Sequence, residues 1–127
     1  MEKKMHVLIV DDNKVMRKHV RQVVSRCFQT AGLGRTEFSE ASNGKEAFDC
    51  FQKSRHDLIL SDWNMPELDG MGLLQAIRNL DPDVPFGLIT AQVTPALRES
   101  ARYYGAQFLI AKPFTPESLS EAVGNLF

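Results

Sequence analysis

The chain has 127 residues, enough for one domain with a hydrophobic core but not for two. Hydrophobic residues make up 43% of it and charged residues 24%, and the net charge of -1 offers no polybasic face for nucleic acid or a membrane surface. The sequence contains no apolar run long enough for a signal peptide or a transmembrane helix. We therefore expect one cytoplasmic domain over residues 1–127, without a direct nucleic-acid or membrane partner.

Five short apolar runs are typical of strands, and they alternate with five helical patterns. The strand candidates are residues 7–10, 38–41, 58–60, 86–89 and 108–110. The second candidate is the weakest, and the pattern of residues 29–37 before it favours a loop. Strict alternation of strands and helices favours a parallel α/β sheet with right-handed crossovers and with helices on both faces.

Capping residues and apolar spacing mark the helices. Asn43, with Glu46 three residues later, predicts a capping box at the second helix. Thr94 and Thr115, each followed by a proline, predict the starts of the fourth and fifth helices. The inward face of the fourth helix is predicted to consist of Leu97, Ala101 and Tyr104.

Polar residues stand at the ends of four of the five strand candidates. They are Asp11 and Asp12 at the first, Asp62 at the third, Thr90 and Ala91 at the fourth, and Lys112 at the fifth. Because the carboxyl ends of parallel strands share one edge of the sheet, three carboxylates, a hydroxyl and an ammonium group should converge there. After Asp62, turn chemistry is supplied by Asn64, Pro66 and an Asp69-Gly70 pair.

Three neighbouring carboxylates repel one another and raise one another's pKa values unless a cation is present. Mg²⁺ suits such a site because it takes oxygen ligands and keeps several waters, whereas Ca²⁺ usually takes more protein oxygens. The metal-free alternative is a solvated acidic rim, in which Asp11 or Asp12 simply caps the first helix. The position of Lys112 opposite the carboxylates favours the metal site.

An aspartate beside a metal and a lysine suits phosphoryl transfer. The Asp62 carboxylate could act as a nucleophile and become an aspartyl phosphate. The metal and Lys112 would neutralise the phosphoryl oxygens in the transition state. The Thr90 hydroxyl could donate to one of those oxygens, although an ordinary β-branched strand residue would show the same pattern.

The whole chain resembles a receiver domain of the two-component response regulators, and within that family it most resembles the stand-alone chemotaxis (CheY-like) receiver. The resemblance rests on residues 7–12, on residues 61–66 with Asp69-Gly70, on Thr90-Ala91, and on residues 112–114. It implies a flavodoxin-like (βα)5 fold, whose five-stranded parallel sheet has the order 2-1-3-4-5 with helices on both faces.

The resemblance also implies an acceptor and a set of metal ligands. Asp62 resembles the phospho-acceptor, and Asp12 and Asp62 resemble direct ligands of Mg²⁺, for which Mn²⁺ can substitute. Asp11 resembles a ligand that acts largely through water. The backbone carbonyl of Asn64 resembles the third protein ligand.

Four further residues resemble the phosphate-binding and switching elements of the family. Lys112 resembles the phosphate-binding lysine, and Pro113 resembles a cis-proline that fixes the loop of that lysine. Thr90 resembles the switch hydroxyl. The backbone amide of Ala91 resembles a further hydrogen-bond donor to the phosphoryl group.

Three features depart from the family pattern. Leu109 stands where members often carry an aromatic residue coupled to the switch threonine, and Phe108 should point to the other face of the sheet, so we expect no aromatic rotamer to report activation. Gln92 replaces a frequently acidic residue and, together with Asn64, should bear on how fast attacking water is admitted. Residues 28–36 form a longer segment than in short chemotaxis receivers, which could extend the first helix or form a loop beside the second strand.

The resemblance implies a signalling switch rather than an enzyme, with chemotaxis as the suggested pathway. A sensor histidine kinase or histidine phosphotransfer protein would supply the phosphoryl group from a phosphohistidine, and the protein would later dephosphorylate itself. The surface of the fourth helix, fifth strand and fifth helix would then bind an output protein, such as a flagellar-motor component or a phosphatase. We expect a monomer or a weak, phosphorylation-dependent dimer. A receiver cut from a longer regulator and an intermediate phosphorelay receiver remain alternatives.

Two other function classes are disfavoured by particular residues. A phosphatase with an aspartyl-phosphate intermediate usually has a second aspartate two residues after its nucleophile, and Asn64 at that position cannot serve as the acid. A flavin-binding module would need a loop that accepts phosphate after the first strand, where Asp11 and Asp12 would repel it.

Overall fold

The computed structural model describes residues 4–127. In chain order its elements are β1 (Lys4–Val10), α1 (Lys14–Thr30), β2 (Arg35–Ala41), α2 (Gly44–Lys53), β3 (Leu58–Asp62), α3 (Gly70–Leu80), β4 (Phe86–Thr90), α4 (Pro95–Tyr103), β5 (Phe108–Ala111) and α5 (Pro116–Gly124). The strands form one sheet of order β2-β1-β3-β4-β5, in which every neighbouring pair is parallel. The predicted α/β class, flavodoxin-like fold and strand order are therefore confirmed.

Helices cover both faces of the sheet and create two cores. α1 and α5 bury Val24 and Leu119 on one face, and α2, α3 and α4 bury Ala47, Leu74 and Ala101 on the other. Every residue of β3 and β4 is buried, as a central parallel strand between two helical layers requires. Within residues 4–127, no helix is both long and apolar enough to cross a membrane.

The second strand is longer than predicted. β2 pairs with β1 along its whole length, from Lys4 with Arg35 to Val10 with Ala41. The prediction of a loop over residues 29–37 is therefore wrong at both ends, because α1 continues to Thr30 and β2 begins at Arg35. The first residues of β2 are mostly polar and therefore give no apolar strand pattern in the sequence. An edge strand can have such a composition because backbone pairing with its neighbour holds it. The longer segment after α1 thus lengthens the helix and leaves only a short turn.

At the start of α2, one of the two hydrogen bonds of the predicted capping box is formed. Asn43 Oδ1 accepts a hydrogen bond from the Glu46 backbone N–H at 2.8 Å, which confirms the N-cap. The Glu46 carboxylate bonds Ser42 instead of the Asn43 N–H, and it accepts from the Ser42 N–H at 3.3 Å and from its hydroxyl at 3.1 Å. The reciprocal bond lies one residue earlier because Ser42 offers two donors.

α4 and α5 begin at the two predicted Thr-Pro pairs. The Thr94 and Thr115 hydroxyls each accept a hydrogen bond from the N–H three residues later, at 3.1 and 3.0 Å. The prediction that Tyr104 lies on the inward face of α4 is wrong, since the helix ends at Tyr103 and Tyr104 is 40% exposed just beyond it. Ala101 is the buried residue of this short helix.

Candidate functional site

The carboxyl edge of the sheet brings three aspartates and a lysine together. One carboxylate oxygen each from Asp11, Asp12 and Asp62 lies within 4.8 Å of the others. The Lys112 ammonium lies between two of these groups, with its Nζ 3.1 Å from Asp11 Oδ2 and 3.1 Å from Asp62 Oδ2. The predicted convergence of side chains from β1, β3 and β5 is therefore confirmed.

Neither aspartate after β1 serves as the N-cap of α1. Asn13 has that role, and its Oδ1 accepts a hydrogen bond from the Met16 N–H at 3.1 Å. Asp11 is 4% exposed, and its Oδ1 accepts from the Asn13 N–H at 2.8 Å. Asp12 is exposed. The capping alternative for Asp11 and Asp12 is thus wrong. Both Asp11 oxygens have partners, Oδ1 in the Asn13 N–H and Oδ2 in Lys112, whereas among residues 4–127 no hydrogen bond holds the Asp12 carboxylate.

Charge is poorly balanced around Asp62. Burial raises the pKa of Asp62, and the neighbouring Asp11 raises it further, which together outweigh the hydrogen bond from Lys112. Burial alone would lower the pKa of Lys112, but its hydrogen bonds to Asp11 and Asp62 raise it. Lys112 is therefore held in its charged form, whereas burial and the neighbouring Asp11 make ionisation of Asp62 less favourable than in water.

A close approach between two chain segments fixes the end of β3. The Trp63 N–H donates to the Ile89 carbonyl at 2.8 Å, and the Gly70 N–H donates to the Trp63 carbonyl at 2.8 Å. A Cβ at Gly70 would contact the backbone oxygen of Asp62 and lie 2.9 Å from Trp63 Cα. Asp69 caps α3 through a 2.8 Å hydrogen bond to the third residue of that helix. The Asp69-Gly70 pair is thus a helix start rather than a turn, and its glycine permits α3 to begin against the backbone of Asp62.

The switch and phosphate-binding candidates lie at the ends of β4 and β5. Thr90 is 2% exposed, and its carbonyl accepts a hydrogen bond from the Lys112 N–H at 2.7 Å. Ala91 and Gln92 follow it in an exposed loop. The Lys112–Pro113 peptide bond is cis, as the resemblance implied.

Leu109 and Phe108 occupy opposite faces of β5, as predicted. Leu109 is 6% exposed and belongs to the core beneath α2, α3 and α4. Phe108 packs with the core beneath α1 and α5. Its ring lies against Gly87 of β4, where a Cβ would collide with it. The Phe108 side chain is therefore directed away from the face that Leu109 occupies.

The carboxylate cluster fits a hard divalent cation. Its members offer only oxygen ligands, and their spacing is one that hydrated Mg²⁺ can bridge directly or through its own waters. Burial is the main reason that the pKa of Asp62 is raised, and a cation beside Asp62 would favour its ionised form. A ligand role for the Asn64 carbonyl stays a prediction.

Two residues near the site were not singled out in the sequence. Asn13 could have been found as a cap, because an asparagine before a helical pattern is a recognised signal. Arg17 donates to the Asp11 carbonyl and also pairs with Glu40. No local sequence pattern predicts these contacts of Arg17, because they depend on how α1 lies beside β2.

Known proteins resemble this chain over nearly its whole length. A family model described as "Response regulator receiver domain" matches residues 7–124. The probable chemotaxis protein CheY of Rhizobium etli is 35% identical, covering 98% of this chain and 93% of the relative. A chemotaxis protein CheY homologue of Campylobacter jejuni is 33% identical, covering 96% and 92%.

Solved structures agree with this relationship. The chemotaxis protein CheY4 of Vibrio cholerae is 32% identical with a TM-score of 0.78, covering 98% of this chain and 99% of that one. A chain of the CheX-CheY-BeF3-Mg²⁺ complex of Borrelia burgdorferi is 26% identical with a TM-score of 0.85, covering 97% and 89%. The chain therefore belongs to the response regulator receiver domain family, and it is a CheY-like receiver.

Proposed function

We propose that Asp62 accepts a phosphoryl group from a phosphohistidine, carried by a sensor histidine kinase or a histidine phosphotransfer protein. The observation that carries this proposal is the Lys112 ammonium, 3.1 Å from the carboxylates of both Asp11 and Asp62. In the transfer, an Asp62 carboxylate oxygen attacks phosphorus, an O–P bond forms, and the N–P bond to the histidine breaks. Mg²⁺ bound by the acidic cluster, or Mn²⁺ in its place, would offset the negative charge that gathers on the oxygens.

The residues around Asp62 have separate roles in binding the metal, binding the phosphoryl group and admitting water. Asp12 and Asp62 would hold the cation directly, Asp11 largely through water, and the Asn64 carbonyl would be the third protein ligand. Lys112 binds a phosphoryl oxygen, because its charge is retained and lies beside the acceptor. Thr90 and the Ala91 amide donate to the other oxygens, and Pro113 fixes the lysine loop. Gln92 and Asn64 bear on the entry of the water that hydrolyses the aspartyl phosphate.

Phosphorylation then biases the surface formed by α4, β5 and α5. Thr90 is linked to this surface by backbone, because its carbonyl bonds Lys112 at the end of β5. Tyr103 on α4 is 80% exposed, an unusual position for a large ring and one that suits a protein contact. We propose that phosphorylation increases the population of one pre-existing conformation of this surface, and that an output protein binds that conformation. A flagellar-motor component or a phosphatase fits the chemotaxis names of the relatives.

The acceptor assignment is tested by replacing Asp62 with Asn. The purified protein is incubated with acetyl phosphate and Mg²⁺, and intact mass is measured for the phosphoryl adduct. Asp62→Asn should show no adduct, because the amide is not a nucleophile of comparable strength. Asp49→Asn is a matched control, since Asp49 is an exposed aspartate on α2 away from the strand edge. Equal labelling of Asp62→Asn and the unsubstituted protein would rule out the assignment.

The partner and assembly proposals need separate measurements. A pull-down with and without BeF3 and Mg²⁺ should retain the output protein only in their presence. Light scattering under the same two conditions should show a monomer, or a dimer that forms with the phosphate mimic alone.

A further inference from the structure

We infer that Arg17 is a positioning residue for the acidic site, because it holds the peptide group between Asp11 and Asp12; this inference rests on the proposed Mg²⁺ site. Arg17 lies in the first turn of α1, and its Nη1 donates to the Asp11 backbone carbonyl at 2.7 Å. That peptide group is planar, so the direction of its carbonyl also sets the direction in which the chain enters Asp12. Arg17 thereby acts on two of the three carboxylates without touching either.

A second contact fixes Arg17 itself. Its Nε donates to Glu40 Oε1 at 3.0 Å, and only 16% of the Arg17 side chain is exposed. The other Glu40 oxygen accepts from Arg21 Nη1 at 3.2 Å. A planar guanidinium presents several N–H groups in fixed directions, so Arg17 can hold a carboxylate and a carbonyl together. A lysine ammonium at the same position would match this geometry poorly.

Asp11 and Asp12 depend on this contact to different degrees. The Asp11 carboxylate is also held by the Asn13 N–H at 2.8 Å and by Lys112 at 3.1 Å. Asp12 is exposed, and among residues 4–127 no hydrogen bond holds its carboxylate. The position of Asp12 therefore follows from the backbone, and Arg17 is the side chain that holds this backbone. Ligands that are oriented in advance bind a metal more tightly than ligands that must be ordered by it.

Charge and positioning predict opposite results when Arg17 is removed. The positive charge of Arg17 opposes a nearby divalent cation through space, although Glu40 offsets part of it. If charge were the only effect, removal of Arg17 would strengthen Mg²⁺ binding. If Arg17 positions the ligands, its removal weakens Mg²⁺ binding. The direction of the change separates the two.

The experiment measures Mg²⁺ affinity for the full chain and for two variants, Arg17→Met and Arg17→Lys. Calorimetric titration is combined with the emission of Trp63, the only tryptophan, which directly follows Asp62. Both variants should bind Mg²⁺ about tenfold more weakly, the usual scale for losing a residue that orients a metal ligand. Arg21→Met is the matched control, because it removes the other cation at Glu40 without touching Asp11. Its affinity should stay within about twofold of the unsubstituted chain, as for an exposed ion pair.

The titrations are run at a temperature where circular dichroism shows every variant to be folded. Mg²⁺ binding by Arg17→Met that equals or exceeds that of the unsubstituted chain would overturn the inference. Unchanged binding by Arg17→Lys would overturn it as well, because a positive charge alone would then suffice. If the unsubstituted chain fails to bind Mg²⁺, the proposed function itself is overturned, so the two failures are distinguishable.

Discussion

His56 makes the stability of this protein depend on pH far from the acidic site. Its ring lies between those of His6 and Phe51, with centroid distances of 4.1 and 5.7 Å, and the residue is 5% exposed. Within residues 4–127, neither ring nitrogen has a hydrogen-bond partner. Burial lowers the pKa of His56 from 6.5 to about 4, and the adjacent His6 contributes to the decrease. His56 is therefore neutral in the folded protein at pH 7.

The sign of the effect follows from proton uptake. Between pH 6.5 and about 4 the unfolded chain binds a proton at His56 that the folded chain does not. Lowering the pH through this range therefore lowers the free energy of unfolding. At about 1.4 kcal/mol per pKa unit, the difference between the two pKa values amounts to roughly 3 kcal/mol at most. The contribution is fully present above pH 6.5.

The substitution His56→Phe isolates this contribution. Phenylalanine retains an aromatic ring between His6 and Phe51 but cannot bind a proton, and it removes two unpaired buried nitrogens. Urea unfolding of both proteins is measured from pH 7.5 to pH 4. We expect His56→Phe to be at least as stable at pH 7.5 and to gain up to roughly 3 kcal/mol over the unsubstituted protein by pH 4.

A second histidine provides the control. His19→Phe changes a histidine on α1 that stacks on Phe114, away from His56. This variant should lose stability with falling pH in parallel with the unsubstituted protein. If His56→Phe also follows that parallel course, burial of a neutral His56 is not the cause of acid sensitivity, and the reasoning fails.

Two further substitutions test the acidic site. Gly70→Ala should lower the free energy of unfolding by about 1–3 kcal/mol and slow phosphorylation, because its Cβ would collide with the Asp62 carbonyl and crowd Trp63. The control is Gly124→Ala, which should have neither effect because a Cβ there meets open space. Urea unfolding and adduct formation from acetyl phosphate measure both effects, and a normally phosphorylated Gly70→Ala would contradict the close approach. Lys112→Met should lower stability by about 1–3 kcal/mol in the absence of Mg²⁺, since it leaves two neighbouring carboxylates without their shared partner. Added Mg²⁺ should restore part of that loss in thermal unfolding, and an unchanged melting temperature without Mg²⁺ would count against the ion-pair arrangement.

Sequence patterns identified most of the fold and the core of the site because the relevant signals are local. The central strands are nearly continuous apolar runs, and each ends where turn chemistry begins. The residue types at those ends follow directly from the sequence, as with Asp62 and Lys112. Their convergence needs only the rule that parallel strands end at one edge.

The predictions that were wrong concern the ends of helices and strands, where a local sequence pattern does not identify the exact boundary residue. β2 begins at Arg35 because its backbone pairs with β1, and its polar side chains gave no sign of a strand. Three polar residues follow β1, and Asn13 rather than Asp11 or Asp12 is the cap because α1 begins at Lys14. Tyr104 fits the apolar spacing of α4, but the helix ends before it.

The sequence by itself determined the chemistry of this protein, because carboxylate, hydroxyl and ammonium groups at strand ends need no further information to be recognised. Tertiary structure decided how those groups are held. Arg17 reaches the Asp11 carbonyl and Glu40 only because α1 crosses beside β2. His56 is buried, with no hydrogen-bond partner for its ring among residues 4–127, because β1 and α2 place two aromatic rings against it. Both depend on contacts between residues distant in sequence, and the free energy of such contacts appears only when the elements pack.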